Sequence, residues 1–133
     1  MNQNNIAEVL SNHPVIPVVT INNEAEIPAI VATLKANNIF CIEITLRTTY
    51  ALDAIAYFKA HYADEFTVGV GTVVQPDQVR AVAKLGVDFI VSFVNYVLWY
   101  LYELISDFGF CLFFFLNSSR HNVFNSLCLF LNR

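Results

Sequence analysis

The sequence predicts an α/β fold of parallel strands alternating with helices, and three observations carry that prediction. Apolar runs that suit strands, over 15–20, 39–46, 66–72 and 87–92, are separated by segments whose apolar residues recur every three or four positions. The strand-plus-helix unit repeats at roughly 22 to 25 residues, as right-handed βαβ crossovers do. The polar residues Glu43, Arg47, Thr72 and Ser92 fall within or at the ends of successive strands, and in barrels the carboxyl ends of strands are where sites are built. Four such strands fit half of a (β/α)8 barrel or a small open sheet.

The elements follow in order. Ile6, Val9 and Leu10 recur at helical spacing and predict a short N-terminal helix ending near Asn12-His13-Pro14, with His13 a helix-end residue. Val15 to Thr20 reads as strand one, with Pro17 marking it as an edge or interrupted strand because proline cannot donate to a ladder. Asn23 and Glu26 have the spacing of a capping box, and Ile27, Ile30, Val31 and Leu34 then form one apolar stripe that stops at Asn37-Asn38. Ile39 to Leu46 is strand two. Thr49 to Tyr62 is a second amphipathic helix, with Leu52, Ile55 and Ala56 facing the core, Lys59 on the surface and His61 in its exposed last turn. Phe66 to Thr72 is strand three, and its two glycines allow another group to come close. Pro76 opens a third helix with Val79, Val82, Ala83 and Leu85 as its apolar face, Gly86 ends it, and Val87 to Ser92 is strand four.

Size and composition bound the function. The 133 residues make one domain at most, 56% apolar and 14% charged with net charge −4. Seven basic residues scattered against eleven acidic ones provide no phosphate-binding patch, which argues against nucleic acid as a partner. Cys41, Cys111 and Cys128 lack metal-ligand spacing and form no disulfide framework. The start, Met1-Asn2-Gln3-Asn4-Asn5, has no basic cluster followed by an apolar run, so the expected setting is the cytoplasm.

Cys41-Ile42-Glu43-Ile44-Thr45-Leu46-Arg47-Thr48 carries the chemistry. Glu43 sits among residues that suit a buried strand, where an unpaired carboxylate is strongly disfavoured. Arg47, four positions on, could reach back to Glu43 or to the carboxylate of a ligand. From the residues alone, a structural ion pair and a functional acid stand about even.

Val15-Ile16-Pro17-Val18, Ile42-Glu43-Ile44-Thr45-Leu46-Arg47-Thr48 and Val68-Gly69-Val70-Gly71-Thr72-Val73 resemble the first half of bacterial 2-keto-3-deoxy-6-phosphogluconate (KDPG)/4-hydroxy-2-oxoglutarate (KHG) aldolases, over residues 1 to about 92. That resemblance implies a class I aldolase on a (β/α)8 TIM barrel, usually a homotrimer, which cleaves a 2-keto acid to pyruvate and an aldehyde through a lysine Schiff base and needs no metal or other cofactor. It implies Glu43 as general acid/base, with Arg47 and Thr72 holding the pyruvate carboxylate.

The resemblance stops at Ser92, where the family continues Ser-Pro-Gly and this chain continues Phe93-Val94-Asn95-Tyr96. Residues 93–133 contain no alanine and no lysine, against twelve alanines before them, and they hold eight of the twelve phenylalanines. The family's Schiff-base lysine stands in a Phe-Lys-Phe-Phe-Pro-like run that is absent here. Lys35, Lys59 and Lys84 belong to helices and are expected to project outward. The expected organisation is therefore an aldolase half-barrel over 1–92 and an out-of-frame, hydrophobic, helical tail over 93–133, the whole inactive alone. The alternative is a membrane-associated or partner-dependent protein anchored by 93–116, long enough to span. Glu103 and Asp107 count against it, because a carboxylate at mid-bilayer costs on the order of 2.5 to 3.5 kcal/mol.

Overall fold

The computed structural model describes residues 11–91, 112–115 and 126–129. Strands β1 (Val18–Val19), β2 (Cys41–Thr45), β3 (Thr67–Gly71) and β4 (Phe89–Val91) alternate with helices α1 (Ile27–Ala36), α2 (Ala51–His61) and α3 (Pro76–Lys84). Two further strands, β5 (Leu112–Phe115) and β6 (Ser126–Leu129), complete one sheet in the order β1-β2-β3-β4-β5-β6. The first five strands are parallel and β6 is antiparallel to β5. The expected four-strand parallel α/β sheet is present. The N-terminal helix falls outside the described residues except for Ser11 and Asn12, which are helical.

Register gives the two faces of the sheet their separate work. Val19, Ile44, Val70 and Ile90 are aligned across β1 to β4. Together with Ile42 and Val68 they meet Ile27, Val31 and Leu34 of α1, Ile55 and Phe58 of α2, and Val79 and Val82 of α3 in one buried cluster. Sheets flanked by helices need near-continuous apolar strands for this reason. The other face carries the row Val18, Glu43, Gly69 and Phe89, so every strand residue from Cys41 to Thr45 alternates between core and a second, more polar surface.

Local chemistry explains the boundaries. β1 is shorter than expected, because Pro17 has no N–H to give, although its carbonyl still accepts from Glu43 N at 2.9 Å. Asn23 caps a 3-10 turn, Glu24–Glu26, through its side chain, but the Glu26 carboxylate accepts from Asn22 N at 3.0 Å where a capping box would use Asn23 N. The box is displaced by one residue, and α1 proper begins at Ile27. It ends on Asn38 in the left-handed region (φ 55°), with Ile39 N donating to Leu34 O at 2.9 Å. Gln75 and Gln78 form the reciprocal cap of α3.

Two expectations are corrected. Leu52 is 40% exposed, because α2 turns Ala51, Ala54, Ile55 and Phe58 inward, a stripe displaced from Leu52 by one residue. The tail is strand where it is described, not helix: Leu112–Phe115 pairs with β4 and Ser126–Leu129 with β5. Phenylalanine, which is enriched in strands, supplies three of the four residues 112–115. A spanning helix over 93–116 is inconsistent with the paired strand at 112–115, while residues 93–111 lie outside the described ones. No helix among the described residues is long and apolar enough to cross a membrane.

Candidate functional site

Glu43 occupies the middle of β2, on the face away from the helices, half-buried between Val18 of β1 and Gly69 of β3. Its carboxylate makes no hydrogen bond or ion pair with another described residue, and the ion pair with Arg47 that the sequence allowed is not formed. Burial pushes the Glu43 carboxyl above the ordinary glutamate value, and the Arg47 guanidinium draws it part of the way back. A carboxyl group raised in this way keeps its proton to higher pH than an exposed glutamate does, the direction a proton-donating acid needs.

The two glycines of β3 admit different groups. A Cβ on Gly69 would stand inside the ring of Phe89, whereas a Cβ on Gly71 would stand where Glu43 Oε1 lies. The Glu43 side chain therefore crosses from β2 over the carboxyl end of β3. Thr72 follows at once, with φ 60°, a left-handed conformation that is costly for a β-branched residue. Arg47 is exposed in the turn after β2. Glu43, Arg47 and Thr72 thus gather at the carboxyl-end half of two adjacent strands. Ser92 lies outside the described residues.

Threonines tie this end together. Thr45, the one buried polar side chain among the described residues, has its Oγ1 2.8 Å from Thr20 Oγ1 and donates to Val19 O at 3.3 Å. Thr48 Oγ1 donates to Ile21 O at 2.6 Å. These bonds stitch the end of β1 to the end of β2 across its short ladder. The sequence signal was available in the Glu43-x-Thr45 alternation, which puts both side chains on one face. Cys41 shares that face, and burial above all pushes its thiol up to about 12, leaving it inert.

The three lysines lie elsewhere. Lys35, Lys59 and Lys84 each occupy the last turn of α1, α2 and α3. Lys35 Nζ pairs with Glu65 at 2.6 Å, just before β3, and Lys59 Nζ with Asp88 at 3.0 Å, just before β4. Both contacts mark the amino ends of the strands, opposite the end that holds Thr72.

Parallel strands, covering helices and a polar carboxyl end define an α/β protein of the (β/α)-barrel kind. The chain belongs to the KDPG and KHG aldolase family, whose model matches residues 6–95. It is 34% identical over 87 residues to a 2-dehydro-3-deoxy-phosphogluconate aldolase of Haemophilus influenzae, covering 65% of this chain and 41% of that protein. It is 34% identical over 84 residues to a KHG/KDPG aldolase of Escherichia coli, covering 63% and 39%. Among solved structures it resembles a KDPG aldolase of Legionella pneumophila with pyruvate captured as a covalent carbinolamine intermediate, at TM-score 0.67 and 30% identity over 74% of this chain and 48% of that one. A 2-keto-3-deoxy-6-phosphogluconate aldolase of Zymomonas mobilis gives TM-score 0.68 and 28% identity over 82% and 52%. The chain spans about two fifths of the length of the curated relatives it matches.

Proposed function

We propose that this chain carries the acid/base and carboxylate-binding half of a Schiff-base aldolase site and, by itself, does not cleave 2-keto acids. Glu43 is its general acid/base, and Arg47 and Thr72 are the groups that receive the carboxylate of a pyruvate-type substrate. The support is the convergence of these three residues at one end of β2 and β3 in a family whose Legionella relative holds pyruvate as a carbinolamine. A carbinolamine forms when a primary amine adds to a ketone carbon, so the other half of the chemistry is a lysine.

The observation that carries the negative half is the placement of the lysines. All three sit in the last turns of helices, and two are engaged with carboxylates at the amino ends of the strands. None is positioned to meet a ketone beside Glu43. The organisation we infer with this is an aldolase half-barrel over 1–92 followed by a tail over 93–133 of out-of-frame origin. The partner is a small 2-keto acid, and the family's homotrimer and a cytoplasmic setting belong to the same reading.

Incubation of the purified chain with pyruvate and borohydride, followed by intact-mass analysis, tests it. No covalent pyruvate adduct is expected, and a reduced adduct on any lysine overturns the proposal. Reversible pyruvate binding that weakens in Arg47→Ala and Thr72→Ala supports the retained half-site, and binding unaffected by either removes it.

A further inference from the structure

We propose that Gly71 is a positioning residue for Glu43, its missing side chain providing the space in which the acid's carboxylate is held across β3. The two glycines of Gly69-Val70-Gly71 point to the same face, and neither has a positive φ that would demand glycine. Each is small because something fills the place of its Cβ. At Gly69 the occupant is the buried Phe89 ring, and at Gly71 it is the end of the Glu43 side chain.

The difference between these occupants decides what an alanine would do. The Phe89 ring is 1% exposed and fixed by its own packing, so a methyl group at residue 69 has to displace core. The Glu43 carboxylate is the far end of a flexible, half-buried side chain. A methyl group at residue 71 would lie 3.2 Å from Glu43 Cγ, a tight contact, and would exclude the Oε1 position altogether. The glutamate then rotates out, and the strand stays where it is. Gly71 therefore acts on the acid, while Gly69 acts on the fold.

The groups facing Glu43 make the displacement readable. On its own strand these are Cys41, whose thiol stays neutral, and Arg47 beyond the strand end. The neighbouring strand residues in its row, Val18 of β1, Gly69 of β3 and Phe89 of β4, carry no charge. Burial is what raises the Glu43 carboxyl, so release into solvent brings it back toward the ordinary glutamate value.

The inference deepens the reading of Glu43 as the acid/base, but its test does not depend on that reading. The Glu43 carboxyl carbon is titrated by NMR in the full-length chain, wild type, Gly71→Ala and Gly69→Ala, with urea unfolding on each. In Gly71→Ala the Glu43 titration moves down toward the exposed value while the unfolding midpoint stays close to wild type. In Gly69→Ala the midpoint falls and, under conditions where the chain remains folded, the Glu43 titration stays raised. An unchanged Glu43 titration in folded Gly71→Ala overturns the positioning role, as does an equal shift in both variants. If Gly71→Ala fails to fold, the carboxylate was not free to yield and the proposal falls. Should the titration move while pyruvate binding is indifferent to Arg47→Ala and Thr72→Ala, the positioning stands and the half-site reading fails.

Discussion

Lys59 Nζ lies 3.0 Å from Asp88 Oδ2, and that same oxygen accepts the Val68 backbone N–H at 2.8 Å. Asp88 N in turn donates to Val68 O at 2.9 Å, so one aspartate closes the start of the β3–β4 ladder while a helix side chain holds it in place. The two partners are not equivalent. Asp88→Ala leaves the Val68 N–H without its acceptor and is expected to cost about 1 to 3 kcal/mol. Lys59→Met removes only the ion pair, whose Asp88 side is 40% exposed, and is expected to cost under about 1 kcal/mol. Urea unfolding of both variants checks the order, and 0.5 M salt should narrow the lysine effect without touching the aspartate one.

Glu43 sets a pH dependence with a definite sign. Its folded value is raised, so below the unfolded glutamate value of about 4.5 both states are protonated and the group contributes nothing to stability differences. As pH climbs above that point the unfolded chain releases the proton while the folded chain retains it, so stability falls until the folded carboxyl also ionises. Glu43→Gln, neutral at every pH, is therefore expected to match wild type near pH 4 and to exceed it at pH 7. Thermal melts at the two values measure this, and a variant less stable than wild type at pH 7 would show that the carboxylate has a stabilising partner.

The second helix supplies a contrast that periodicity alone misplaced. Leu52, 40% exposed, is expected to tolerate Leu52→Gln within about 0.5 kcal/mol, whereas Phe58→Ala removes a fully buried ring and should cost about 3 to 5 kcal/mol. Chemical denaturation of the pair decides it. Equal losses would mean that Leu52 faces a covering surface.

Most of the strand and helix order was legible because each element's apolar residues match the period of its structure. Ile42, Ile44, Val68 and Val70 could only be strand interiors with helices above them, and Pro76 and Gly86 bracket α3 by their own geometry. Leu52 was misread because Ala51 and Ala54, small and weakly apolar, define the inward stripe and add little to a pattern dominated by large residues. The described tail segments were misread for a different reason. Phe and Leu runs are compatible with either period, and pairing of Ile90 with Leu112 is a contact between distant residues that no local pattern encodes. In the site, the sequence marked the two glycines of strand three as open to a close approach but could not say which group fills each place. That depends on the register Glu43 to Gly69 and on the length of the side chain, which carries the carboxylate one step further to Gly71.

Thr72 combines a strained backbone with the carboxylate-binding role proposed for its hydroxyl. A threonine at φ 60° holds about 1 to 3 kcal/mol of backbone strain, and nothing in a strand end requires it, since a glycine there would relax without loss of the turn. Thr72→Gly removes the strain but adds unfolded-state entropy of roughly 0.5 to 1 kcal/mol, so a net gain of about 1 kcal/mol is expected. Thr72→Ala keeps a Cβ in the same conformation and should leave stability nearly unchanged. Both variants lose the hydroxyl, and both are expected to weaken pyruvate binding. Isothermal titration and urea unfolding together separate the two properties. If glycine stabilises the chain and either variant binds pyruvate as wild type does, the strained conformation serves some end other than presenting the hydroxyl. If binding falls in both while only glycine gains stability, the hydroxyl serves binding and the backbone conformation that carries it costs stability.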